Sequence, residues 1–244
     1  MTPQRIVTRE QWLAERIKLL DAEKEFTRQR DRLSAMRRAL PWVKVEKEYL
    51  FTAPEGTVTL ADLFAGRSQL VVDHFMLGPG WGAGCVGCSF GADHIGEFAR
   101  IHLEHHDVST VVVSRAPIDE IEAYRKRMGW SFRWVSSFGG DFNYDYHVSF
   151  TPEQLAQGEV YYNYRITENR MEELPGLSVF FKDGDQIYHT YSSYARGAEE
   201  LLTTYMVLDL TPKGRNETGP HHNLMDWVKR HDEYDLAADH PAGH

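Results

Sequence analysis

The sequence predicts an α/β protein with a mixed central sheet, helices on both faces of the sheet, and one long N-terminal helix. Three observations predict this class. Residues 8–40 contain no Gly or Pro. The apolar, β-branched runs at 69–76 and 108–114 are each followed by a helical pattern, which indicates parallel strands joined by a crossover helix. The runs at 177–182 and 186–191, joined by three turn-forming residues, predict an antiparallel hairpin.

The N-terminal helix is predicted to begin after Thr8, a suitable N-cap, and to end before Pro41. Large apolar residues recur along it every seven positions: Trp12, Leu19, Phe26, Leu33 and Leu40. One such row is too thin for a full coiled coil. We expect it to pack on the rest of the chain or on a second copy, which would make a homo-oligomer.

We divide the chain into an arm at 1–45, a central domain at 46–210 and a tail at 211–244.

The other elements follow from helical or alternating periodicity. We expect a strand, a turn and a second strand or helix start within 48–63. Further helices are predicted at 89–106, 117–128 and 197–208, and further strands at 130–136, 142–148 and 160–166. The tail is expected to be loosely ordered, apart from a short amphipathic piece at 224–228.

Composition excludes several classes of protein. The net charge of -9 disfavours nucleic-acid binding, because the phosphate backbone is itself negative. The first ten residues lack the apolar stretch of a secretory signal, and no run reaches the roughly 18 apolar residues of a membrane span. We therefore expect a cytoplasmic protein without membrane contact. Its only two cysteines lie three positions apart, so they are not a disulfide framework.

Cys85 and Cys88 follow a buried strand and a glycine-rich loop, where a helix is predicted to begin. Unpaired backbone N–H groups and the helix dipole stabilise a thiolate at such a place. Cys88 lies one helical turn further on, within disulfide distance. We therefore predict a redox dithiol in which Cys85 attacks and Cys88 resolves.

Three other interpretations of the cysteines stay open. They are two ligands of a zinc site completed by histidines, inert packing residues, or the switch of a redox sensor that alters an interface made by the N-terminal helix. The candidate histidines are His74, His94, His102 and His105. A half-buried helix accounts for the last three equally well, so we expect no metal and no cofactor.

The order of elements around the dithiol resembles that of thioredoxins, and the segment from 111 to 136 is closer to the peroxiredoxin branch. The chain resembles more closely a domain-of-unknown-function family, number 899, described as predicted dithiol-disulfide oxidoreductases. The resemblance spans nearly the whole chain and is strongest in five runs: Asp73-His74-Phe75-Met76, Gly84-Cys85-Val86-Gly87-Cys88-Ser89-Phe90, Ser114-Arg115-Ala116-Pro117, Trp134-Val135-Ser136-Ser137-Phe138 and Asp141-Phe142-Asn143-Tyr144-Asp145. It implies a thioredoxin-like three-layer α/β/α sandwich that works with an external thiol reductant or a disulfide substrate.

The thioredoxin pattern is not met everywhere. A glycine-rich insertion separates Asp73 from Cys85, so Asp73 is either the buried base that takes the proton of Cys88 or a structural strand end. Thioredoxins also place a cis-proline beside the dithiol. Pro175 lies near that position, but the hairpin alignment places Gly176 there, and a trans Pro175 that ends a loop is the alternative. We include both residues in the predicted substrate-binding set.

Peroxiredoxins carry Thr or Ser three residues before the reactive cysteine, whereas this chain has Gly82 before Cys85. Direct peroxide reduction is therefore disfavoured, although Arg115 would supply the cation that such a site needs. The alternative for Arg115 is a surface ion pair. Trp81 is predicted either to cover the dithiol and contact substrate or to lie in the core. The aromatic run at 142–146 is predicted to floor an apolar cleft or to pack in the core.

Overall fold

The computed structural model describes residues 4–235 and forms two compact units, which divide between Pro41 and Trp42. The first unit contains the predicted long helix α1, Arg9–Arg38, and its N-cap is Thr8 in a capping box with Gln11. No described residue of α1 is buried. The predictions that its apolar row packs on the chain or on a second copy stay predictions. Across the described residues, no helix has the length and apolar character needed to cross a bilayer.

The second unit contains ten strands and seven further α-helices among its described residues. The strands are β1 Val43–Lys44, β2 Leu50–Ala53, β3 Gly56–Thr59, β4 Gln69–His74, β5 Val108–Ser114, β6 Trp134–Ser136, β7 Glu159–Tyr162, β8 Arg165–Glu168, β9 Gly176–Asp183 and β10 Gln186–Tyr194. The helices are α2 Leu60–Leu63, α3 Val86–Ala92, α4 Glu97–His105, α5 Ile118–Arg127, α6 Phe142–Asp145, α7 Pro152–Ala156 and α8 Thr203–Leu208.

Eight strands form one mixed sheet in the order β1-β10-β9-β4-β5-β6-β2-β3. At its centre β4, β5 and β6 are parallel, while β9 runs antiparallel to β4 and β10 antiparallel to β9. A parallel βαβ unit followed by an antiparallel hairpin and a helix is the thioredoxin arrangement, so the predicted fold class is confirmed. The predicted hairpin turns at Gly184, which has a φ of +56°.

The sheet separates two apolar layers, because alternate residues of a strand point to opposite faces. Leu70 and Val72 of β4 pack on one face with Leu63 of α2 and Phe142 of α6. The opposite layer contains Phe75, which follows β4, with the inner face of α5 and the end of α3. Helices thus cover both faces, as a three-layer sandwich requires.

The predicted continuous helix at 89–106 is wrong, because the chain forms two helices, α3 and α4. They are interrupted between Ala92 and Glu97, and Gly96 is the extended N-cap of α4. Asp93 ends α3 and accepts hydrogen bonds from Trp130 and His231. The helix ends where these long-range bonds form, and local sequence periodicity does not reveal them. The last predicted helix is likewise divided into a 3-10 segment, Ala195–Leu201, and α8.

The predicted strand at 142–148 is wrong, because Phe142 begins the single-turn helix α6. Phe142 and Tyr146 lie four positions apart, so one helical turn brings the centroids of their rings to 4.7 Å from each other in the core. The predicted strand at 160–166 is also corrected. It forms the hairpin β7–β8 outside the main sheet and reverses at Asn163 and Tyr164, both of which have positive φ.

Candidate active site

The two cysteines lie at the junction between β4 and α3. After the strand, the chain turns through the glycine-rich loop, and the Cys85 backbone N–H donates to the Met76 carbonyl over 3.0 Å. This bond folds the loop back so that Cys85 is the N-cap of α3. Cys88 follows in the first turn of the helix, and both residues are half-buried free thiols. The predicted strand-to-helix junction is where the structure places both residues.

The surroundings of the Cys85 sulfur favour its ionised form. The Cys88 thiol donates a hydrogen bond to it, and the backbone N–H groups of Cys88 and Gly87 donate as well. The positive charge of Arg230 adds to these interactions. Together they outweigh burial and lower the pKa of Cys85 to about 6. Cys85 is therefore largely thiolate at neutral pH, the form that attacks disulfides.

Cys88 has the opposite environment. Its hydrogen bond to Cys85, followed by burial and the charges of Cys85 and Asp73, raises the pKa of Cys88 well above its ordinary value. Asp73 is enclosed around its carboxyl group although part of the residue stays accessible, and burial raises the pKa of Asp73 to about 7. One thiolate, one thiol and one carboxyl group that titrates near neutrality are thus brought together.

Tightly packed aromatic side chains hold the first cysteine in position. Ser89 donates to the Cys85 carbonyl over 2.7 Å, and its hydroxyl oxygen lies 2.8 Å from that of Tyr124. A Cβ added to Gly84 would lie 2.6 Å from Cζ of Phe75 and 2.8 Å from Cε1 of Tyr124. Only glycine therefore fits directly before Cys85, because the two rings leave no room for a side chain.

A segment near the C-terminus packs on the dithiol helix and was missed by the sequence analysis. Arg230 donates to the Gly84 carbonyl from two nitrogens, and the side chain of Leu224 lies over Gly87. Val228 is buried with Phe90 of α3. The predicted amphipathic piece at 224–228 was the one signal for this contact, but it did not indicate the surface to which the segment binds. Arg230 had no signal in the sequence.

The predicted substrate residues Pro175 and Gly176 lie where β9 begins, opposite the end of β4, and their role toward substrate stays a prediction. Gly176 pairs with His74 at the end of β4, and a Cβ at Gly176 would meet Tyr194 at 2.9 Å. All described peptide bonds are trans, so Pro175 is trans. Its carbonyl accepts a hydrogen bond of 2.6 Å from Tyr162.

Tyr162 bonds to two backbone groups, at Pro175 and at Ala195. Burial raises the pKa of Tyr162, and the charge of Cys88 acts in the same direction. Its hydroxyl accepts from the backbone N–H of Ala195 over 2.8 Å, in addition to donating to Pro175. The β7–β8 hairpin, predicted as a single strand, thus carries a side chain on which the charge of the resolving cysteine acts.

Arg115 and Trp81 have other contacts. Arg115 pairs with Glu173 over 2.5 Å and with Glu172 over 3.3 Å. Glu173 is buried, so this pair does not lie at the surface as the alternative expected, and a role of Arg115 toward substrate stays a prediction. The Trp81 indole lies over Gly78 within the loop, and Trp81 is 37% exposed. It is not a core residue, and its role toward substrate stays a prediction.

Two of the four histidines considered as zinc ligands, His94 and His74, hydrogen-bond to other groups. His94 donates to the Phe90 carbonyl over 2.7 Å and accepts from the Thr204 hydroxyl over 2.8 Å. The Nε2 atom of His74 lies 2.8 Å from the Ser178 hydroxyl oxygen. Within residues 4–235, no group of three or more His, Cys, Asp or Glu side chains is placed to hold a metal ion.

Solved structures similar to this chain include Peroxidoxin BcpB from Mycobacterium tuberculosis. The two sequences are 13% identical, the match covers 69% of this chain and 97% of that chain, and the TM-score is 0.45. A candidate protein disulfide isomerase from Bacteroides thetaiotaomicron is 14% identical; the match covers 75% of this chain and 99% of that chain, with a TM-score of 0.42. A mutant form of PrxQ from Xylella fastidiosa is 14% identical; the match covers 65% of this chain and 88% of that chain, with a TM-score of 0.38. At these scores the similarities add no argument about function.

Among curated proteins, the sequence has no significant match. Its match to a protein family is extensive, since the family model covers residues 1–234. This range includes α1, the dithiol and the segment that contains Arg230. The chain therefore belongs to the family described as Bacterial protein of unknown function (DUF899).

Proposed function

We propose that the protein is a thiol-disulfide oxidoreductase in which Cys85 is the nucleophile and Cys88 the resolving thiol. The observation that supports this most strongly is the contrast between the two sulfurs. The pKa of Cys85 is lowered to about 6 by its hydrogen bond from Cys88 and by nearby donors, while the pKa of Cys88 is raised. Cys85, as a thiolate, can attack a disulfide directly, whereas Cys88, as a neutral thiol, becomes a nucleophile only after it is deprotonated.

The reaction takes two steps. The Cys85 thiolate attacks one sulfur of a substrate disulfide, forms a mixed disulfide and releases the other half as a thiolate. Cys88 then loses its proton and attacks the Cys85 sulfur, which releases the second half as a thiolate and leaves a Cys85–Cys88 disulfide. The substrate has been reduced by two electrons and the dithiol oxidised by two. An external dithiol returns the pair to its reduced form.

Asp73 is the base that we propose for the second step. Its charge acts on Cys88, and because burial raises the pKa of Asp73 to about 7, a substantial part of it is ionised near neutral pH. A carboxylate with such a pKa takes a proton from the thiol and returns it easily to solvent. The other interpretation of Asp73, a structural strand end, predicts no kinetic role.

The finer assignments are part of the same proposal. Dithiols that must be reduced after each turnover suit a reducing compartment, and we propose the cytoplasm. We also propose the division into an arm at 1–45, a thioredoxin-like domain at 46–210 and a tail at 211–244. The substrate is a disulfide of a protein or a small molecule.

The test is a single turnover of the full-length reduced protein with 5,5′-dithiobis(2-nitrobenzoate), whose thiolate product is yellow. The proposal predicts a fast release of one product thiolate from Cys85 and a slower release of a second as Cys88 closes the ring. Cys88→Ser should stop after the first release, and Cys85→Ser should lose the fast phase. A fast phase that survives in Cys85→Ser contradicts the assignment.

Turnover is tested separately, by the reduction of insulin with excess dithiothreitol. The proposal predicts that the wild-type protein accelerates insulin reduction and that Cys85→Ser does not. If the wild-type protein is oxidised once, changes its oligomeric state and accelerates nothing, the redox-sensor interpretation replaces the enzyme.

A further inference from the structure

An open cleft of about 370 Å³ lies in the second unit, and neither cysteine is among the residues that line it. It is bounded by β1 and the residues that follow it, by the end of α6, by the β7–β8 hairpin and by β10. Its walls are unusually rich in aromatic rings, which come from Tyr49, Tyr146, Tyr161, Tyr164, His189 and Tyr194. This volume is within the range of about 300–1,000 Å³ that small-molecule sites have.

Several of these rings are fixed by hydrogen bonds from their hydroxyl groups. Tyr164 donates to the Ser192 carbonyl over 2.9 Å, and Tyr194 donates to the Tyr146 carbonyl over 3.1 Å. The rings of Tyr164 and Tyr194 meet edge to face at 5.5 Å. The aromatic surface is therefore formed before a ligand arrives, which lowers the entropic cost of binding.

The positively and negatively charged side chains that line the cleft are equal in number. Lys47 is held by Asp145 over 2.7 Å, and the hydroxyl of Tyr49 donates to the same carboxylate over 2.8 Å. The exposed rim adds one cation, Lys44, and one anion, Glu46. Burial lowers the pKa of His189, so its imidazole is neutral at neutral pH. A charged ligand would gain little from such walls.

Three polar groups in the cleft are available to a ligand. The Tyr146 hydroxyl, the His147 ring and the Asn163 amide line it, and within residues 4–235 none of them has a side-chain hydrogen bond. Tyr146 is only 9% exposed, so its ring is packed, and no described residue hydrogen-bonds to its hydroxyl. Burial lowers the pKa of His147, which leaves a neutral ring that both donates and accepts.

We propose that this cleft binds an uncharged planar aromatic compound of one or two rings that carries a hydroxyl or carbonyl oxygen. The ring stacks on the tyrosines, and the oxygen bonds to the Tyr146 hydroxyl. Preformed aromatic walls select a flat ring, the balanced charges disfavour ions, and the unpaired donor selects an oxygen acceptor. The site does not depend on the dithiol.

The probe is 2-naphthol, and its binding to the full-length protein is measured by the anisotropy of its own fluorescence. We expect saturable binding with a dissociation constant below about 1 mM. Tyr161→Ala removes a ring of the cleft wall whose residue is 42% exposed, and the binding of 2-naphthol should weaken by about tenfold. Tyr146→Phe keeps the ring and removes the hydroxyl, which should weaken binding by about fivefold.

Two controls make the result specific. Phe138→Ala removes an exposed aromatic ring that does not line the cleft, and Cys85→Ser removes the nucleophile; both should bind 2-naphthol as the wild-type protein does. Circular dichroism checks that each variant is folded. Decahydro-2-naphthol has a similar size without a flat ring and should compete at least fivefold more weakly.

The proposal is overturned by any of three results. The first is no saturable binding of 2-naphthol up to about 1 mM. The second is unchanged binding to folded Tyr161→Ala, which would place the ligand elsewhere. The third is equal competition by decahydro-2-naphthol, which would mean that the cleft selects apolar volume and not an aromatic ring.

Discussion

Arg230 donates two hydrogen bonds to the backbone carbonyl of Gly84, from Nη2 over 2.6 Å and from Nε over 3.1 Å, although 146 positions separate the two residues. The contact brings a cation to the residue directly before the first cysteine. Its charge adds to the hydrogen bond from Cys88 in lowering the pKa of Cys85. The C-terminal segment is therefore part of the environment of the thiolate.

Arg230→Gln should raise the pKa of Cys85, because glutamine retains a donor for the Gly84 carbonyl and removes the charge. We expect a rise of roughly half a pH unit, the effect of one partly screened charge. The measurement is the rate of Cys85 alkylation by iodoacetamide against pH, with mass spectrometry to identify the modified residue. Arg127→Gln is the matched control, since Arg127 binds Asp232 of the same segment over 2.7 Å. Equal shifts in both variants would contradict a direct effect of the Arg230 charge.

Asp73→Asn should slow ring closure and leave the first attack unchanged. Asparagine has the same size but takes no proton, and the loss of a general base typically costs about 100-fold or more. Mass spectrometry of acid-quenched samples should show the Cys85 mixed disulfide accumulating in the variant. In the wild-type protein, ring closure should accelerate as the pH rises through about 7, where Asp73 ionises. Asp119→Asn, at an exposed carboxyl group, is the control, and an unchanged rate in Asp73→Asn would favour the structural interpretation.

Asp73 should also make the stability of the protein depend on pH. Burial raises the pKa of Asp73 from 3.8 to about 7, so folding favours the protonated carboxyl group. This contribution is complete below pH 3.8 and is lost as the pH rises to about 7. Asp73→Asn should therefore be more stable than the wild-type protein by a few kcal/mol at pH 8, with a much smaller difference at pH 4. Urea unfolding at both values measures this, and a difference independent of pH would contradict it.

Gly84→Ala should destabilise the protein by about 1–3 kcal/mol, the usual cost of overpacking a core. The added methyl group would lie 2.6 Å from Cζ of Phe75 and 2.8 Å from Cε1 of Tyr124. Gly91→Ala is the control, because a Cβ at Gly91 would meet Cδ2 of Leu202 at 3.9 Å, an ordinary contact, and Gly91 lies within α3, where alanine is well accommodated. Urea midpoints of the two variants provide the comparison. Equal midpoints would show that the two rings move aside at little cost.

The sequence predicted the central sheet because its strands are coded locally. The apolar run at β4, the β-branched run at β5 and the Gly184 turn each contain enough information to define an element. The strand predicted at 142–148 was wrong because the spacing of Phe142 and Tyr146 fits both an alternating strand and one turn of helix. Both rings are buried on the same face of the sheet, which favours the helix, and this burial is a property of the folded protein that the local sequence does not show.

In the candidate site, too, some residues could be predicted from the sequence and others could not. Cys85, Cys88 and Asp73 lie on neighbouring parts of the chain, so the order of strand, loop and helix was enough to predict their proximity. Arg230 reaches the site from a distant segment, through the backbone carbonyl of Gly84. Such contacts depend on tertiary packing and leave no spacing pattern in the sequence.

The rate of Cys85 alkylation in the reduced wild-type protein, followed as a function of pH, tests whether Cys85 is a reactive thiolate. A sulfur held ionised by Cys88, Gly87 and Arg230 should react at half its maximal rate near pH 6. A half-maximal rate near pH 8.5, the value of a cysteine free in solution, would show that Cys85 is an ordinary thiol.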